Sequence, residues 1–132
     1  MTNSIEEILD TDAMFVIGSN TTENHPIIGA TMKQAIKRGA KLIVADPRRI
    51  ELAEGLYDQK YIEERCENFE GLVDIVKDYT PERAAQICGL NAEDIIKAAT
   101  IYAEADKAGI YYTMGITQHT TGTAAVMSVS NL

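Results

Sequence analysis

Three short apolar runs divide the chain, and turn-forming residues flank each of them. They are "AMFVI" (13–17), "KLIVA" (41–45) and "GIYYTM" (109–114). None of the runs alternates between apolar and polar positions, which favours strands of a parallel sheet that is covered on both faces. The pattern therefore predicts three parallel strands with side chains buried on both sides of the sheet.

Helical spacing replaces this pattern between the runs. Pro26 suits the first position of a helix that follows the first strand, and Gly39 suits its end. The buried stripe of that helix would consist of Ile28, Met32, Ala35 and Ile36. Further helices are predicted after Phe69, after Thr80 and after Asn91. Strand, helix and strand in succession predict an α/β fold, here a Rossmann-like three-layer α/β/α arrangement with a mainly parallel sheet.

Size and charge restrict the class of protein. The chain has 132 residues, which predicts a single domain over 1–132. Its net charge of -8 makes a nucleic acid or an anionic membrane surface an unsuitable partner for the chain as a whole. No apolar stretch approaches the roughly 20 residues of a membrane helix, so we expect a cytoplasmic protein without membrane insertion. Cys66 and Cys88 lie too far apart for a paired metal motif.

Three polar loops follow the three predicted strands. They are "GSNTTENHP" (18–26), "DPRR" (46–49) and "GITQHTTG" (115–122). Because parallel strands deliver their following loops to one edge of the sheet, where open α/β folds bind ligands, we expect these loops to face a common ligand.

The first loop offers the chemistry of an anion site. Its main-chain N–H groups and the hydroxyls of Ser19, Thr21 and Thr22 precede a helix N-terminus, whose dipole favours a phosphate. The alternative is an ordinary polar connection in which Asn24 or His25 caps the helix. The chain has no GxGxxG, so the dinucleotide fingerprint is absent.

The second loop combines an acid with two cations. Asp46 stands at a strand end, where a carboxylate commonly accepts hydrogen bonds from a ribose. Arg48 and Arg49 at the start of a helix are each opposed by roughly 0.3–1 kcal/mol from the helix dipole. A bound phosphate would offset this cost, and so would Glu51 and Glu54.

The third loop is suited to recognising a heterocycle. Gln118 can both donate and accept hydrogen bonds, and a hydrogen-bonding role for His119 is favoured over that of a base or metal ligand. Met114 is expected in the core or in the wall of a pocket. No nucleophile elbow, catalytic triad, paired acids or metal cluster can be assembled, so the pattern favours a binder of a nucleotide-like ligand over a catalyst.

Taken together, the loops and their flanks carry a family resemblance. "FVIGSNTTENHPIIG", "KLIVADPRRIELA" and "YTMGITQHTTG" strongly resemble the catalytic subunits of molybdopterin oxidoreductases, and among them the molybdenum- or tungsten-dependent formate dehydrogenases. The text between them is similar as well. The resemblance implies that the loops hold the guanosine and diphosphate parts of a molybdopterin guanine dinucleotide. The implied cofactor contacts are Gly18, Ser19, Asn20, Glu23, Asp46, Pro47, Arg48, Met114, Gly115 and Gln118.

The resemblance also implies a larger parent protein. The full subunit would oxidise formate to carbon dioxide, and its [4Fe–4S] centre, metal ligand and catalytic residues would lie in segments that this chain lacks. The chain alone would be inactive, and its partners would be the remaining segments of the subunit and electron-transfer subunits. The alternatives are a fragment of a nitrate-reductase-like oxidoreductase and a non-catalytic module that binds a guanine nucleotide or a pterin.

An internal break interrupts the resemblance. The family continues from text like "RRIELA" through another strand, a cofactor-contacting loop and a helix, whereas this chain passes directly from Ala53 to Glu54. Either the chain is an abridged fragment, natural or engineered, or two separated segments have been joined. In both cases we expect an open sheet edge, exposed apolar surface and a tendency to self-associate.

Overall fold

The computed structural model describes residues 3–19, 21–45 and 69–132. Its strands are β1 (Ala13–Ile17), β2 (Lys41–Ala45) and β3 (Ala108–Tyr112), and a 3-10 helix at Glu6–Asp10 precedes β1. Its α-helices are α1 (Thr21–Asn24), α2 (Pro26–Lys37), α3 (Phe69–Val76), α4 (Pro81–Cys88), α5 (Ala92–Ala103), α6 (Met114–Thr117) and α7 (Gly122–Ser130). The described residues group into two compact units, one made of 3–19, 21–45 and 104–132 and the other of 69–103.

The first unit contains a parallel sheet in the order β2-β1-β3. Ala13 lies opposite Lys41 on one side and opposite Ala108 on the other, so the three strands begin at the same level. This arrangement confirms the predicted α/β class and the parallel sheet. The third strand was predicted to reach Met114 but ends at Tyr112, because Met114 already begins the short helix α6.

The strands differ in burial. All five residues of β1 are buried, as the apolar run predicts. The same prediction is wrong for β2, where Leu42 is 44% and Val44 is 69% exposed. The physical reason is position, since β1 has a neighbour on each edge whereas no described strand pairs with the outer edge of β2.

Helix α2 and the 3-10 helix cover one face of the sheet. Their core with β1 consists of Ile8, Met14, Val16, Met32 and Ala35. Pro26 is the first residue of α2, as predicted, because its missing N–H has no partner to lose at that position. Ile36 was predicted to share the buried stripe but is 37% exposed, so the inward face of α2 is narrower than the sequence pattern suggests.

The second unit consists of three described helices, of which α4 and α5 pack together. The hydroxyl of Thr80 accepts a hydrogen bond of 3.4 Å from the main-chain N of Arg83, which confirms that the chain starts a new helix there. Burial raises the pKa of the Tyr102 phenol in α5. Among the described residues, no helix combines the length and the apolar character needed to cross a bilayer.

Candidate functional site

The candidate site begins at Gly18, the first residue after β1. Its N–H donates to the carbonyl of Ala45 at 3.4 Å, which continues the β1–β2 ladder by one bond. Its φ of 57° lies in the left-handed region, where a residue with a Cβ is strained. The chain therefore leaves the sheet at a position that requires glycine.

The carbonyl oxygen of Gly18 joins the first loop to the third. It accepts a hydrogen bond of 3.1 Å from the N–H of Gly115 and one of 2.9 Å from the Thr113 hydroxyl. These two donors are 95 or more residues away in sequence. The sheet thus brings the first and third loops together at its carboxyl edge.

The contact between the two loops is made by bare backbone. A Cβ on Gly18 would lie 2.8 Å from the carbonyl carbon of Gly115 and 2.8 Å from Cγ1 of Ile116. A Cβ on Gly115 would collide with the Gly18 carbonyl oxygen. Ile116 is 1% exposed, so its buried side chain anchors the third loop. Both glycines are therefore needed for this close approach.

Ser19 carries the clearest sign of a ligand. Its Oγ is buried and has no hydrogen-bond partner among the described residues. A buried hydroxyl without a partner costs about 1–3 kcal/mol, and such groups are rare in folded proteins. An acceptor atom of a ligand placed beside Ser19 would remove that cost.

A groove runs along β3 within the first unit. Its volume is about 1180 Å³. Ser19, Thr21 and His25 of the first loop contribute to its lining, together with β3 and the residue that follows it, Thr113. Hydroxyl and imidazole groups of the first loop and phenol groups of β3 therefore line one cavity, which is large enough for a nucleotide-sized ligand. The carboxylates of Glu7, Asp10 and Asp106 line it as well.

The first loop departs from its predicted form in one respect. Residues Thr21–Asn24 form the single helical turn α1, which the sequence pattern did not predict. His25 takes the N-cap position of α2 but makes no side-chain hydrogen bond to the helix. The alternative in which this residue is present only to cap α2 is therefore not supported.

The other predicted contacts lie at the surface or outside the described residues. Glu23 is exposed in α1. Gln118 is exposed, and its Nε2 lies 3.1 Å from Sδ of Met114. Met114 is 61% exposed, so its expected place in the core is wrong and the wall of a pocket is the interpretation that stays open. Four predicted contacts lie outside the described residues, namely Asn20, Asp46, Pro47 and Arg48.

Two residues that matter at this edge were not predicted. Thr113 donates to Gly18 and Ile116 packs against it, yet the sequence analysis gave neither a role. Thr113 directly follows Tyr112, the last residue of β3, which pairs with Ile17 at the end of β1, so its place beside the first loop follows from the strand register that the structure gives. The described residues contain no group of three His, Cys, Asp or Glu side chains that could hold a metal ion.

Comparison with known proteins gives a consistent result. A family model described as molybdopterin oxidoreductase matches residues 1–132. The F420-dependent formate dehydrogenase subunit alpha of Methanocaldococcus jannaschii is 42% identical over 159 residues, which cover 100% of this chain and 24% of that protein. Formate dehydrogenase H of Escherichia coli is 37% identical over 159 residues, covering 100% of this chain and 22% of that protein. The chain thus spans about a quarter of the length of these curated relatives.

Two further proteins widen the comparison. A nitrate reductase of Symbiobacterium thermophilum is 34% identical over 167 residues, covering 98% of this chain and 22% of that protein. Among solved structures, acetylene hydratase from Pelobacter acetylenicus superposes with a TM-score of 0.77 at 24% identity, covering 94% of this chain and 22% of that chain. The structural likeness shows that the fold is shared.

Proposed function

The chain belongs to the molybdopterin oxidoreductase family, and we propose that it is the part of a formate dehydrogenase catalytic subunit that holds the guanosine diphosphate portion of a molybdopterin guanine dinucleotide. The formate dehydrogenases of M. jannaschii and E. coli, at 42% and 37% identity, support this choice within the family. The observation that carries the proposal is the joined pair of loops beside the buried Ser19 hydroxyl, which has no hydrogen-bond partner among the described residues.

The described residues fit such a cofactor. Ser19 offers an unused hydrogen-bond donor, and Gly18 and Gly115 leave the backbone bare where the two loops meet. A phosphate oxygen accepts hydrogen bonds from hydroxyl and main-chain N–H groups, so a diphosphate would satisfy the Ser19 hydroxyl.

The remaining contacts are proposed from residue chemistry and the family resemblance. We assign Arg48 to a phosphate, Asp46 to a ribose and Gln118 to the edge of the guanine. Further contacts are proposed for Asn20, Glu23, Pro47 and Met114. Each assignment predicts weaker nucleotide binding when the side chain is truncated.

The cofactor itself would supply the redox-active molybdenum or tungsten. In the full subunit, formate would yield carbon dioxide, one proton and two electrons. The residues of this chain would bind and orient the cofactor and take no part in proton or electron transfer. We place the [4Fe–4S] centre, the catalytic residues and the contacts with electron-transfer subunits in other segments of the parent protein, and the parent protein in the cytoplasm.

Calorimetric titration with GDP tests the binding role. We expect saturable binding that is stronger for GDP than for ADP, because the two nucleotides share a diphosphate and differ in the base. Ser19→Ala should weaken GDP binding about fivefold to tenfold, the value of one hydrogen bond, and Arg48→Ala should weaken it more because its bond to phosphate is charge-assisted. Ser128→Ala is the matched control, since that exposed hydroxyl donates to the Ala124 carbonyl within its own helix.

The outcomes separate the parts of the proposal. Equal affinity for GDP and ADP would remove the guanine assignment and leave a diphosphate site. No binding of either nucleotide would overturn the binding role of this chain. Formate-dependent reduction of a dye by the purified chain alone would contradict its assignment as a cofactor-binding part without catalytic residues.

A nitrate-reductase-like parent is the second candidate. The nitrate reductases of S. thermophilum and Synechocystis, at 34% and 31% identity, favour it. Both parents would need the same cofactor, so nucleotide binding does not separate them. Two separate assays of the full-length parent enzyme distinguish them, one with formate as the electron donor and one with nitrate as the electron acceptor. We expect formate oxidation and no nitrate reduction. If this chain binds nucleotide but the full-length protein turns over neither formate nor nitrate, the result would favour the non-catalytic binding module.

A further inference from the structure

Met114 and Gln118 are bonded to each other at the edge of the sheet where the first and third loops meet. The Gln118 side-chain Nε2 donates to the Met114 sulfur at 3.1 Å, and the Gln118 main-chain N–H donates to the Met114 carbonyl at 2.9 Å. Met114 lies between Thr113 and Gly115, which both donate to the carbonyl of Gly18. The sulfur that holds the Gln118 amide therefore belongs to a backbone segment that is itself fixed to the first loop.

The bond to sulfur determines which way the Gln118 amide faces. A thioether sulfur accepts hydrogen bonds and cannot donate them, so the NH₂ group of the amide must face Met114. The amide oxygen Oε1 consequently lies on the side away from the sulfur. Because Gln118 is exposed, a ligand at this edge of the sheet can reach that oxygen.

Burial does not account for the place of Met114 in the third loop. Its side chain is 61% exposed, whereas Ile116 in the same helical turn is 1% exposed and anchors the loop. A substitution of Met114 therefore leaves the packing of the loop in place. Its effect on Gln118 can be measured separately from a loss of structure.

An amide that presents its oxygen discriminates between the two purines. The Watson–Crick edge of guanine carries two neighbouring donors, N1–H and the 2-amino group, and one amide oxygen with two lone pairs can accept from both. The same edge of adenine carries one donor, the 6-amino group, beside the lone pair of N1. That lone pair repels an acceptor, so an amide held with its oxygen towards the base favours guanine.

We propose that Met114 is a positioning residue for base recognition, because its sulfur holds the Gln118 amide with the oxygen towards the ligand and so selects guanine over adenine. The inference rests on the proposed binding of the guanosine part by this chain and adds a cause for its base preference. It differs from a direct contact between Met114 and the cofactor, because the effect passes through Gln118.

Substitution of the sulfur-bearing side chain tests this inference. Met114→Leu keeps an apolar side chain of similar size and removes the acceptor. Met127→Leu is the matched control, because Met127 is 63% exposed in α7. Gln118→Ala and the double variant Met114→Leu/Gln118→Ala complete the set. The affinity of each protein and of the unmodified chain for GDP and for ADP is measured by calorimetry.

The expected result is a loss of base preference. In Met114→Leu the ratio of GDP affinity to ADP affinity should fall about threefold to fivefold, the value of one weak hydrogen bond, because the released amide can turn its nitrogen towards N1 of adenine. Met127→Leu should keep the ratio of the unmodified chain. Adding Met114→Leu to Gln118→Ala should change neither affinity, because the residue through which the sulfur acts is then absent.

The outcomes separate this inference from the proposed function. GDP binding by the unmodified chain with an unchanged affinity ratio in Met114→Leu would overturn the inference and leave the proposed function standing. A further loss of GDP affinity when Met114→Leu is added to Gln118→Ala would also overturn the inference, since Met114 would then act by direct contact. No GDP binding by the unmodified chain would overturn both.

A spectroscopic measurement tests the positioning contact without nucleotide. In the ligand-free chain, NMR should show a nuclear Overhauser effect between the Gln118 Nε2 protons and the Met114 methyl group. The same Nε2 protons should change their chemical shifts in Met114→Leu and keep them in Met127→Leu. Absence of the Overhauser effect in the unmodified chain would overturn the inference, and this measurement applies even if Met114→Leu does not fold.

Discussion

The two strands that flank β1 differ in the contacts that surround them, although both are short and mostly apolar. On one side, β3 leads into a loop whose Thr113 and Gly115 both donate to the carbonyl of Gly18. On the other side, β2 leaves Leu42 and Val44 exposed. Both strands have five residues and pair with β1 in the same parallel register. Both are edge strands of the described sheet, and the apolar run of such a strand does not by itself show which of its residues are buried.

The largest loss of stability is expected when a methyl group is inserted between the first and third loops. Gly115→Ala places a methyl group against the Gly18 carbonyl and forces the loops apart, so we expect the free energy of unfolding to fall by about 2–4 kcal/mol. Urea denaturation measures this loss. Gly89→Ala serves as the control, because its added methyl meets nothing within 4 Å and only its left-handed φ of 70° costs about 1 kcal/mol. Equal losses in the two variants would show that the loops are not in close contact.

A smaller loss is expected at the hydrogen bond between the loops. Thr113→Val keeps the shape of the side chain and removes its donation to Gly18, which should lower the free energy of unfolding by about 1 kcal/mol. Thr123→Val on the exposed surface of α7 is the control and should change it by less than about 0.5 kcal/mol. A Thr113→Val protein as stable as the control would mean that the Gly115 N–H alone holds the loops together.

Removal of the Ser19 hydroxyl should have the opposite sign. Because its Oγ is buried and no described residue bonds it, Ser19→Ala should raise the free energy of unfolding of the ligand-free chain by about 1 kcal/mol. The same variant should bind GDP more weakly, so stability and binding move in opposite directions, as expected for a group kept for its ligand. A loss of stability in Ser19→Ala would indicate that the hydroxyl has a structural partner.

The smallest effect on stability is expected at the open edge. Val44→Lys replaces a side chain that is 69% exposed, so the free energy of unfolding should change by less than about 0.5 kcal/mol. A lysine on an edge strand opposes pairing with another chain, and sedimentation should therefore show less self-association than in the unmodified chain. A large loss of stability in Val44→Lys would show that the edge is already covered.

The sequence predicts the strands and helices that carry the site better than the contacts between its loops. The run 13–17 marks β1, Pro26 marks the start of α2, and the rule that parallel strands deliver loops to one edge anticipates the meeting of the first and third loops. The bond between Gly18 and Gly115 could not be predicted, because it depends on the register of two strands far apart in sequence. Helix α1 was missed because four polar residues carry no helical periodicity.

The exposure of β2 shows the other limit of the sequence. Its run "KLIVA" is mostly apolar, like that of β1, and apolar runs of this kind are typical of strands in a sheet that is covered on both faces. Whether other elements cover β2 depends on segments of the chain outside the run itself. The break at Ala53 and Glu54, which the family resemblance indicates, stays a prediction, because both residues lie outside the described part of the chain.

Hydrogen exchange of the chain, followed residue by residue by NMR, tests most directly the claim that the first and third loops are joined at Gly18 and that no strand pairs with the outer edge of β2. We expect a protected amide at Gly115, although it lies at the start of a loop, and rapidly exchanging amides at Leu42 and Val44, although they lie within a strand. Rapid exchange at Gly115 together with protection of Leu42 and Val44 would contradict it.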